Sequence, residues 1–205
     1  PVDTGVGDRS QTALTTAWWQ WAMALPVEPH LDPNGARCAW GQQGEVWFLA
    51  GTDGTREVAR TCRIPLGVHL LVPVATRYST RSFAPREGEV VPGCDELEKR
   101  ATMPPEGLLK AVVVLDGVEL GGVSAHRVRS QGCFDPYPGY PVLPDRPPPL
   151  AASDGYWLLI PPLPPGTHEL RVDAHYRLEG PGGFEIMQRY TYELESGASA
   201  GYVGL

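Results

Sequence analysis

Residues 168–194 read HELRVDAHYRLEGPGGFEIMQRYTYEL, and this stretch decides the fold class. Between Leu170 and Leu178 every second residue is apolar, whereas the residues between them are charged or histidine. Pro181-Gly182-Gly183 then turns the chain, and a second alternating run follows with Phe184, Ile186, Tyr190, Tyr192 and Leu194. Alternation with a period of two predicts a long β-hairpin that has one buried face and one face in water.

Further short apolar or alternating runs predict more strands, at residues 45–50, 57–64, 68–75, 108–115, 118–120 and 156–160. Asp116-Gly117 separates two of these runs, and this dipeptide is a strong hairpin signal. Short strands separated by frequent turns are typical of a β-sandwich, with a jelly-roll or Ig-like arrangement. The chain has 205 residues, so we expect one all-β domain over residues 1–205.

One amphipathic helix is predicted at the N-terminal end, over residues 10–25. Leu14, Trp18, Trp21 and Leu25 fall on a single helical face, and Pro26 ends the pattern. We expect its tryptophans to pack on an open end or edge of the sandwich. A second, short helix is predicted near residues 96–100, and residues 134–153 are expected to form a long proline-rich loop.

The net charge of −7 argues against a nucleic-acid partner, which requires a basic face. No run approaches the roughly 20 apolar residues of a membrane helix, so no membrane span is expected. The chain starts at Pro1 without a methionine, which predicts a mature or trimmed form, and whether a signal peptide was removed is left open. No cofactor is expected, and the oligomeric state is left open.

Four cysteines occur, namely Cys38, Cys62, Cys94 and Cys133, and four cysteines allow three pairings. Proximity along the chain favours Cys38–Cys62 and Cys94–Cys133. The even count is typical of an oxidising compartment, so we expect a secreted, periplasmic or cell-surface protein. The alternative is four free buried thiols in a cytosolic protein.

Three stretches of the chain carry a resemblance. The first is WWQWA at 18–22, ahead of a proline. The second contains Asp32, Gly35, Cys38 and Gln43-Gly44, followed by VWFLAG at 46–51 and RTCRIP at 60–65. The third is DGYWLL at 154–159, followed by PGTH at 165–168. In these stretches the chain resembles a group of largely uncharacterised secreted bacterial proteins. The resemblance implies export, a β fold and the Cys38–Cys62 bond, but it implies no activity. Cys94, Cys133 and the expanded proline loop depart from the pattern.

The first candidate site is a group of tryptophans: Trp18, Trp19, Trp21, Trp40 and Trp47. Exposed tryptophan rings stack on sugar faces, so the group could form a glycan platform. Trp19 lies about 100° around the helix from Trp18, off the apolar face, and is therefore expected to be the exposed member. The alternative is that these rings pack in the core under the first disulfide.

The second candidate site is the polar set Asp32, Gln43 and Arg60, with Arg77 nearby in sequence. A Cys38–Cys62 bond would hold Arg60 close to the loop that contains Asp32. An arginine beside an acid and an amide can bind a carboxylate or sugar hydroxyls. The alternative is a structural Arg60–Asp32 pair that orders the loop. Both hypotheses predict that Arg60 is at least partly buried.

Metal and catalytic patterns are weak. Asp173 and His175 share a strand face, but arginines on the same face oppose a cation, so no metal site is expected. Ser124, His126 and Asp154 supply the residue types of a hydrolase, yet no G-x-S-x-G motif surrounds a serine.

The leading hypothesis is therefore a non-catalytic exported binding or surface module, for a glycan or another small polar ligand. Its first rival is a secreted hydrolase with a site near Asp32, Arg60 and Trp19. A structural component of a cell-envelope complex is a further alternative. Whether the protein is an enzyme is left open by the sequence.

Overall fold

The computed structural model describes residues 5–81, 88–141 and 147–197, which form nine β-strands and two α-helices. The strands are β1 (Val46–Phe48), β2 (Val58–Ile64), β3 (His69–Thr80), β4 (Leu108–Leu115), β5 (Val118–Glu119), β6 (Arg127–Arg129), β7 (Ala151–Ile160), β8 (Gly166–Leu178) and β9 (Phe184–Ser196). The helices are α1 (Gln11–Ala24) and α2 (Cys94–Ala101). The all-β class predicted from the alternation is confirmed.

Helix α1 begins after Ser10, whose hydroxyl accepts a hydrogen bond from the Ala13 amide at 3.2 Å. This side chain satisfies one of the free amides of the first turn. The helix predicted over residues 10–25 is confirmed to within one residue at each end. The predicted second helix is α2. No helix within the described ranges is long and apolar enough to cross a membrane.

The strands form two sheets, with the orders β1-β3-β7-β6 and β2-β9-β8-β4-β5. The hairpin predicted from residues 168–194 is β8 and β9, which pair antiparallel from Gly166 with Ser196 to Leu178 with Phe184. The edge strands β1 and β2 pair in parallel, with β3 and β9 respectively. Both sheets are therefore mixed in direction.

Strands β3 and β7 are longer than the sequence pattern predicted. β3 continues past residue 75 to Thr80, and β7 begins at Ala151, ahead of residue 156. The added residues pair with one another, including Arg77 with Asp154 and Thr80 with Ala151. Backbone pairing thus extends these strands through polar side chains that hide the alternation. The proline loop predicted over 134–153 therefore ends before Ala151, and its residues 142–146 lie outside the described residues.

Side chains of both sheets share one hydrophobic core, which includes Leu70, Val72, Leu158, Leu170, Val172, Tyr190 and Leu194. A second cluster joins α1 to the four-stranded sheet, where Trp18 and Trp21 pack with Phe48, Leu71 and Trp157. The expectation that the helix packs at an open end or edge is wrong. The strands β1 and β7 of this sheet are buried on both faces. The face turned away from the shared core therefore needs a cover, which α1 supplies.

The outward face of the five-stranded sheet carries charged side chains that pair with each other. Asp173 lies 2.5 Å from Lys110, His175 lies 2.6 Å from Glu185, and Arg63 lies 2.7 Å from Glu195. Asp173 and His175 therefore each have a partner other than a metal. Across the part of the chain that the structure describes, no three His, Cys, Asp or Glu side chains are grouped to hold a metal ion.

The predicted disulfides are both present. Cys38–Cys62 joins the loop before β1 to β2, and Cys94–Cys133 joins the start of α2 to the segment after β6. The described residues contain no free cysteine. Each bond therefore ties an irregular segment to the regular framework.

A histidine–aspartate pair fastens the β4–β5 turn to β8. Asp116 and Gly117 both have positive φ, at 51° and 79°, as a type I′ turn requires. Asp116 Oδ2 lies 2.7 Å from His168 Nδ1, and the Pro164 carbonyl lies 3.0 Å from His168 Nε2. Both ring nitrogens face acceptors, so Asp116 raises the pKa of His168. The same hydrogen bond lowers the pKa of Asp116.

The two disulfides can be removed separately, by Cys38→Ala with Cys62→Ala or by Cys94→Ala with Cys133→Ala. We expect each pair of substitutions to lower the free energy of unfolding by about 3–4 kcal/mol, because loops of 24 and 39 residues are no longer closed in the unfolded chain. Urea titration followed by tryptophan fluorescence measures the loss. An unchanged midpoint for either variant would show that its disulfide does not constrain the unfolded chain.

The His168–Asp116 pair should make stability depend on pH. A raised pKa means that the contribution of His168 is complete below pH 6.5 and is lost as pH rises through the folded-state pKa. The contribution of Asp116 is present above pH 3.8 and is lost as pH falls through its lowered pKa. A double-mutant cycle with His168→Gln and Asp116→Asn should give a coupling of about 1 kcal/mol near pH 5.5, declining towards pH 9. A coupling that stays constant over this range contradicts the prediction.

Candidate functional site

Arg60 lies on the inward face of β2, where only 3% of its surface is exposed. Its guanidinium donates to four main-chain carbonyls and one hydroxyl: Asp32 O at 2.7 Å, Ala50 O and Gly51 O at 2.9 Å, His30 O at 3.1 Å and Tyr192 Oη at 3.2 Å. The prediction that Arg60 is at least partly buried is confirmed. The protein itself uses the donors of this side chain, so Arg60 acts as a structural residue.

The Asp32 carboxylate does not meet the Arg60 guanidinium. It accepts hydrogen bonds from the amides of its own loop: Asn34 at 3.4 Å, Gly35 at 3.2 Å and Arg37 at 2.9 Å. Gly35 has φ of 85°, and a Cβ there would lie 2.3 Å from the Thr61 carbonyl, so only glycine lets the loop approach β2. The expected side-chain pair is therefore replaced by a main-chain contact, although the loop is ordered as that hypothesis required.

Gln43 is separate from Arg60. Its side chain is exposed and lines an open groove together with Gln20 and Gly44. The buried amide is that of its neighbour Gln42, which binds the amide and carbonyl of Phe48 at 2.9 and 2.8 Å. The expectation that Gln43 and Arg60 share one neighbourhood is wrong, because the turn before β1 directs residue 42 rather than 43 inward.

Trp19 is buried, with 8% of its surface exposed, so the expectation that it is the exposed tryptophan of α1 is wrong. Its ring stacks on Tyr78 of β3, with the centroids 4.6 Å apart. The indole nitrogens of Trp18 and Trp21 donate to the carbonyls of Leu49 and Trp40. Trp19 Nε1, in contrast, is buried without an acceptor in the described structure. Such a group is costly unless a ligand or water satisfies it.

Trp19 lies in the wall of a cavity of about 470 Å³ that is open to solvent on one side. The wall also contains Trp18, Ala22 and Met23 of α1, the loop segment 51–53, Thr76, Arg77 and Tyr78 of β3, and Phe184, Ile186 and Gln188 of β9. The cavity exists because β1 pairs with β3 only at residues 69–71, so the rest of that edge of β3 has no neighbouring strand in the described structure. An aromatic wall with a few polar groups is typical of small-molecule sites.

Arg77 supplies a cation to this cavity. Its guanidinium carbon lies 3.5 Å from the centroid of the Phe184 ring. Asp154 is directly opposite Arg77 on β7, but its carboxylate is held by Arg127 and by the Met103 amide. Within the described structure Arg77 therefore has no acidic partner. Burial lowers the pKa of Arg77, because the charged form loses part of its hydration.

The acids of the cavity wall are already engaged. Glu28 lies 3.0 Å from His30 Nε2, and Asp53 accepts hydrogen bonds from the amide and hydroxyl of Thr55 at 3.0 and 2.7 Å. These hydrogen bonds lower the pKa of Asp53, which is opposite to the shift that a general acid requires. Neither acid neutralises Arg77 directly.

The polar parts of the wall are fixed by the strands behind them. The Gln188 amide binds the Thr52 amide and carbonyl at 2.7 and 2.9 Å. Arg60 holds the carbonyls of His30 and Gly51, and both of these residues line the cavity. Arg60 therefore holds two wall residues in place without lining the cavity itself, whereas Trp19 lines it.

Sequence reasoning noted Arg77 only because it is close to Arg60 along the chain, and it missed Tyr78 and Phe184. No local signal marked Arg77 as part of a site, because the end of β3 shows no alternation of buried and exposed residues. Ser124, His126 and Asp154 form no hydrolase triad, because the Asp154 carboxylate binds Arg127 rather than His126.

Comparison with known proteins gives no relative from which a role for this cavity could be inferred. No protein-family model, no curated protein and no solved structure matches the chain. The resemblance to secreted bacterial proteins stays a prediction. The chemistry of the cavity must therefore be inferred from its own residues.

Arg60→Met should lower the free energy of unfolding by about 3 kcal/mol, because four buried carbonyls and the Tyr192 hydroxyl lose their donor. Arg63→Met is the matched control, since Arg63 lies on the same strand but pairs with Glu195 at the surface, and a loss of at most about 1 kcal/mol is expected there. Urea denaturation measures both. Equal losses in the two variants would contradict the structural role of Arg60.

Proposed function

We propose that this protein is a non-catalytic exported binding module, and that its ligand site is the cavity between α1, β3 and β9. The observation that carries the proposal is the half-buried Arg77 guanidinium, which has no acidic partner among the described residues and lies in an aromatic cavity wall. A protein that only had to fold would gain by pairing or removing this group.

The module has the architecture of a β-sandwich, with α1 covering the outer face of one sheet. The core to which both sheets contribute supports this arrangement. A jelly-roll or Ig-like order of strands stays a prediction. Two disulfides support export, since such bonds persist in oxidising compartments.

The ligand is small and partly polar. A cavity of about 470 Å³ is within the usual range for small-molecule sites, and its aromatic side chains suit a sugar ring or another flat group. Binding without catalysis is favoured because the hydrogen bonds from Thr55 lower the pKa of Asp53, which makes this acid of the cavity wall a poor general acid. The hydrolase hypothesis loses two of its residues, since Asp32 and Arg60 bind the main chain.

The proposal is tested by obstructing the cavity with Thr76→Phe. Thr76 is half-buried in the wall and lies on a strand, where an aromatic residue is tolerated. A fragment and oligosaccharide screen, read by NMR, should give ligands that shift the Trp19 indole N–H signal, which Trp19→Phe assigns. We expect Thr76→Phe to weaken these ligands at least 10-fold, since a phenyl ring occupies part of the cavity.

Thr191→Phe is the matched control, because Thr191 is also half-buried on a strand but alternates with the inward-facing tyrosines of β9. It should leave binding unchanged. If every ligand shifts signals elsewhere and none responds to Thr76→Phe, the cavity is not the site. Turnover of an ester or glycoside that Thr76→Phe abolishes would instead establish the hydrolase.

A further inference from the structure

The state of Arg77 limits the kind of ligand that the cavity can take. A guanidinium that is half-buried without an acceptor has lost part of its hydration and gained only the face of Phe184. A neutral ligand could accept hydrogen bonds from this group, but it would bury the charge further without neutralising it. An anionic group, in contrast, would restore hydrogen bonds and neutralise the charge.

The geometry of Arg77 suits a planar anion. Its guanidinium carbon lies only 3.5 Å from the Phe184 centroid, so the ring occupies one side of the group. Its N–H groups make no hydrogen bond to the described residues and remain available at the edge. A carboxylate binds such an edge with two parallel hydrogen bonds.

The rest of the cavity wall suits a ligand whose remaining part is uncharged and flat. The rings of Trp18 and Trp19 and the side chains of Ala22, Met23 and Ile186 supply apolar surface. The volume corresponds to about sixteen waters at roughly 30 Å³ each, which accommodates a ring with a short side chain.

The charge of the wall favours one negative charge over two. Glu28 and Asp53 line the same cavity as Arg77, and the whole chain carries a net charge of −7. A phosphate ester with nearly two charges would be repelled by both acids, whereas a carboxylate needs only the single cation.

We infer that the ligand is a monoanionic organic carboxylate with a ring or other apolar body, and that Arg77 holds its carboxylate. The inference rests on the proposed function, because it assigns a ligand class to the same cavity. Arg77 is then the residue that determines specificity, and the Trp19 ring contributes to the apolar wall beside the ligand body.

The test uses three probes with the same ring: phenylacetate, its neutral analogue phenylacetamide and phenyl phosphate. Affinities are measured by NMR titration of the Trp19 indole signal in the intact chain. Phenylacetate should bind at least 10-fold more tightly than the other two, as charge-assisted hydrogen bonds imply. Arg77→Gln should weaken phenylacetate binding by about 10-fold and so remove its preference over phenylacetamide. Arg77→Lys should retain part of this preference.

Arg171→Gln is the matched control, since it removes one positive charge from the outward face of β8. It should leave phenylacetate binding unchanged. Far-ultraviolet circular dichroism and thermal unfolding establish that each variant is folded, and Arg77→Lys keeps the test decisive if Arg77→Gln does not fold.

The outcomes separate this inference from the proposed function. Equal binding of phenylacetate and phenylacetamide, abolished for both by Thr76→Phe, would overturn the anion assignment and leave the binding site in place. Tighter binding of phenyl phosphate would overturn the choice of a carboxylate. Absence of phenylacetate binding at 10 mM would overturn the inference. The fragment screen with Thr76→Phe tests separately whether the cavity is a ligand site.

Discussion

The buried guanidinium of Arg60 is the interaction on which the irregular half of this protein depends. The segments around residues 28–35 and 49–52 belong to no sheet, and their carbonyls would otherwise face the core without donors. Arg60 on β2 gathers four of these carbonyls and also contacts Tyr192 of β9. One side chain thus supplies the hydrogen-bond donors that a neighbouring strand would supply to the carbonyls of a strand. The Cys38–Cys62 bond, two residues further along β2, fixes the same loop covalently.

Much of the framework could be predicted from the sequence because local patterns carry it. The alternation over residues 168–194 reports burial on one face directly, and Asp116-Gly117 fixes a turn through backbone sterics alone. The end of β3 and the start of β7 could not be predicted, because residues such as Arg77 and Asp154 are polar although their backbones pair. Polar side chains inside a strand carry no alternation signal, so only the partner strand reveals them.

The site was less predictable than the framework, since its members meet through packing over long sequence distances. The exposure of Trp19 was misjudged because a helix lying flat on a sheet buries a wider stripe than the spacing of Trp18 and Trp21 indicates. Arg60 and Asp32 were expected to bind a ligand or each other, and instead each satisfies main-chain groups. Among the described residues Arg77 has no acidic partner, since Arg127 holds the carboxylate of Asp154 opposite it, and no local pattern encodes such competition.

The brevity of β1 has a consequence for how copies of this protein behave beside one another. Where β1 stops, a long edge of β3 carries main-chain groups that a strand from another molecule could extend, which is the first step of edge-to-edge aggregation. Several features oppose that step: Pro73 has no amide hydrogen, its carbonyl already accepts the Tyr190 hydroxyl, and Arg77 sets a charge at the edge. The same edge that borders the proposed small-molecule site is thus poorly suited to pairing with a strand of another molecule.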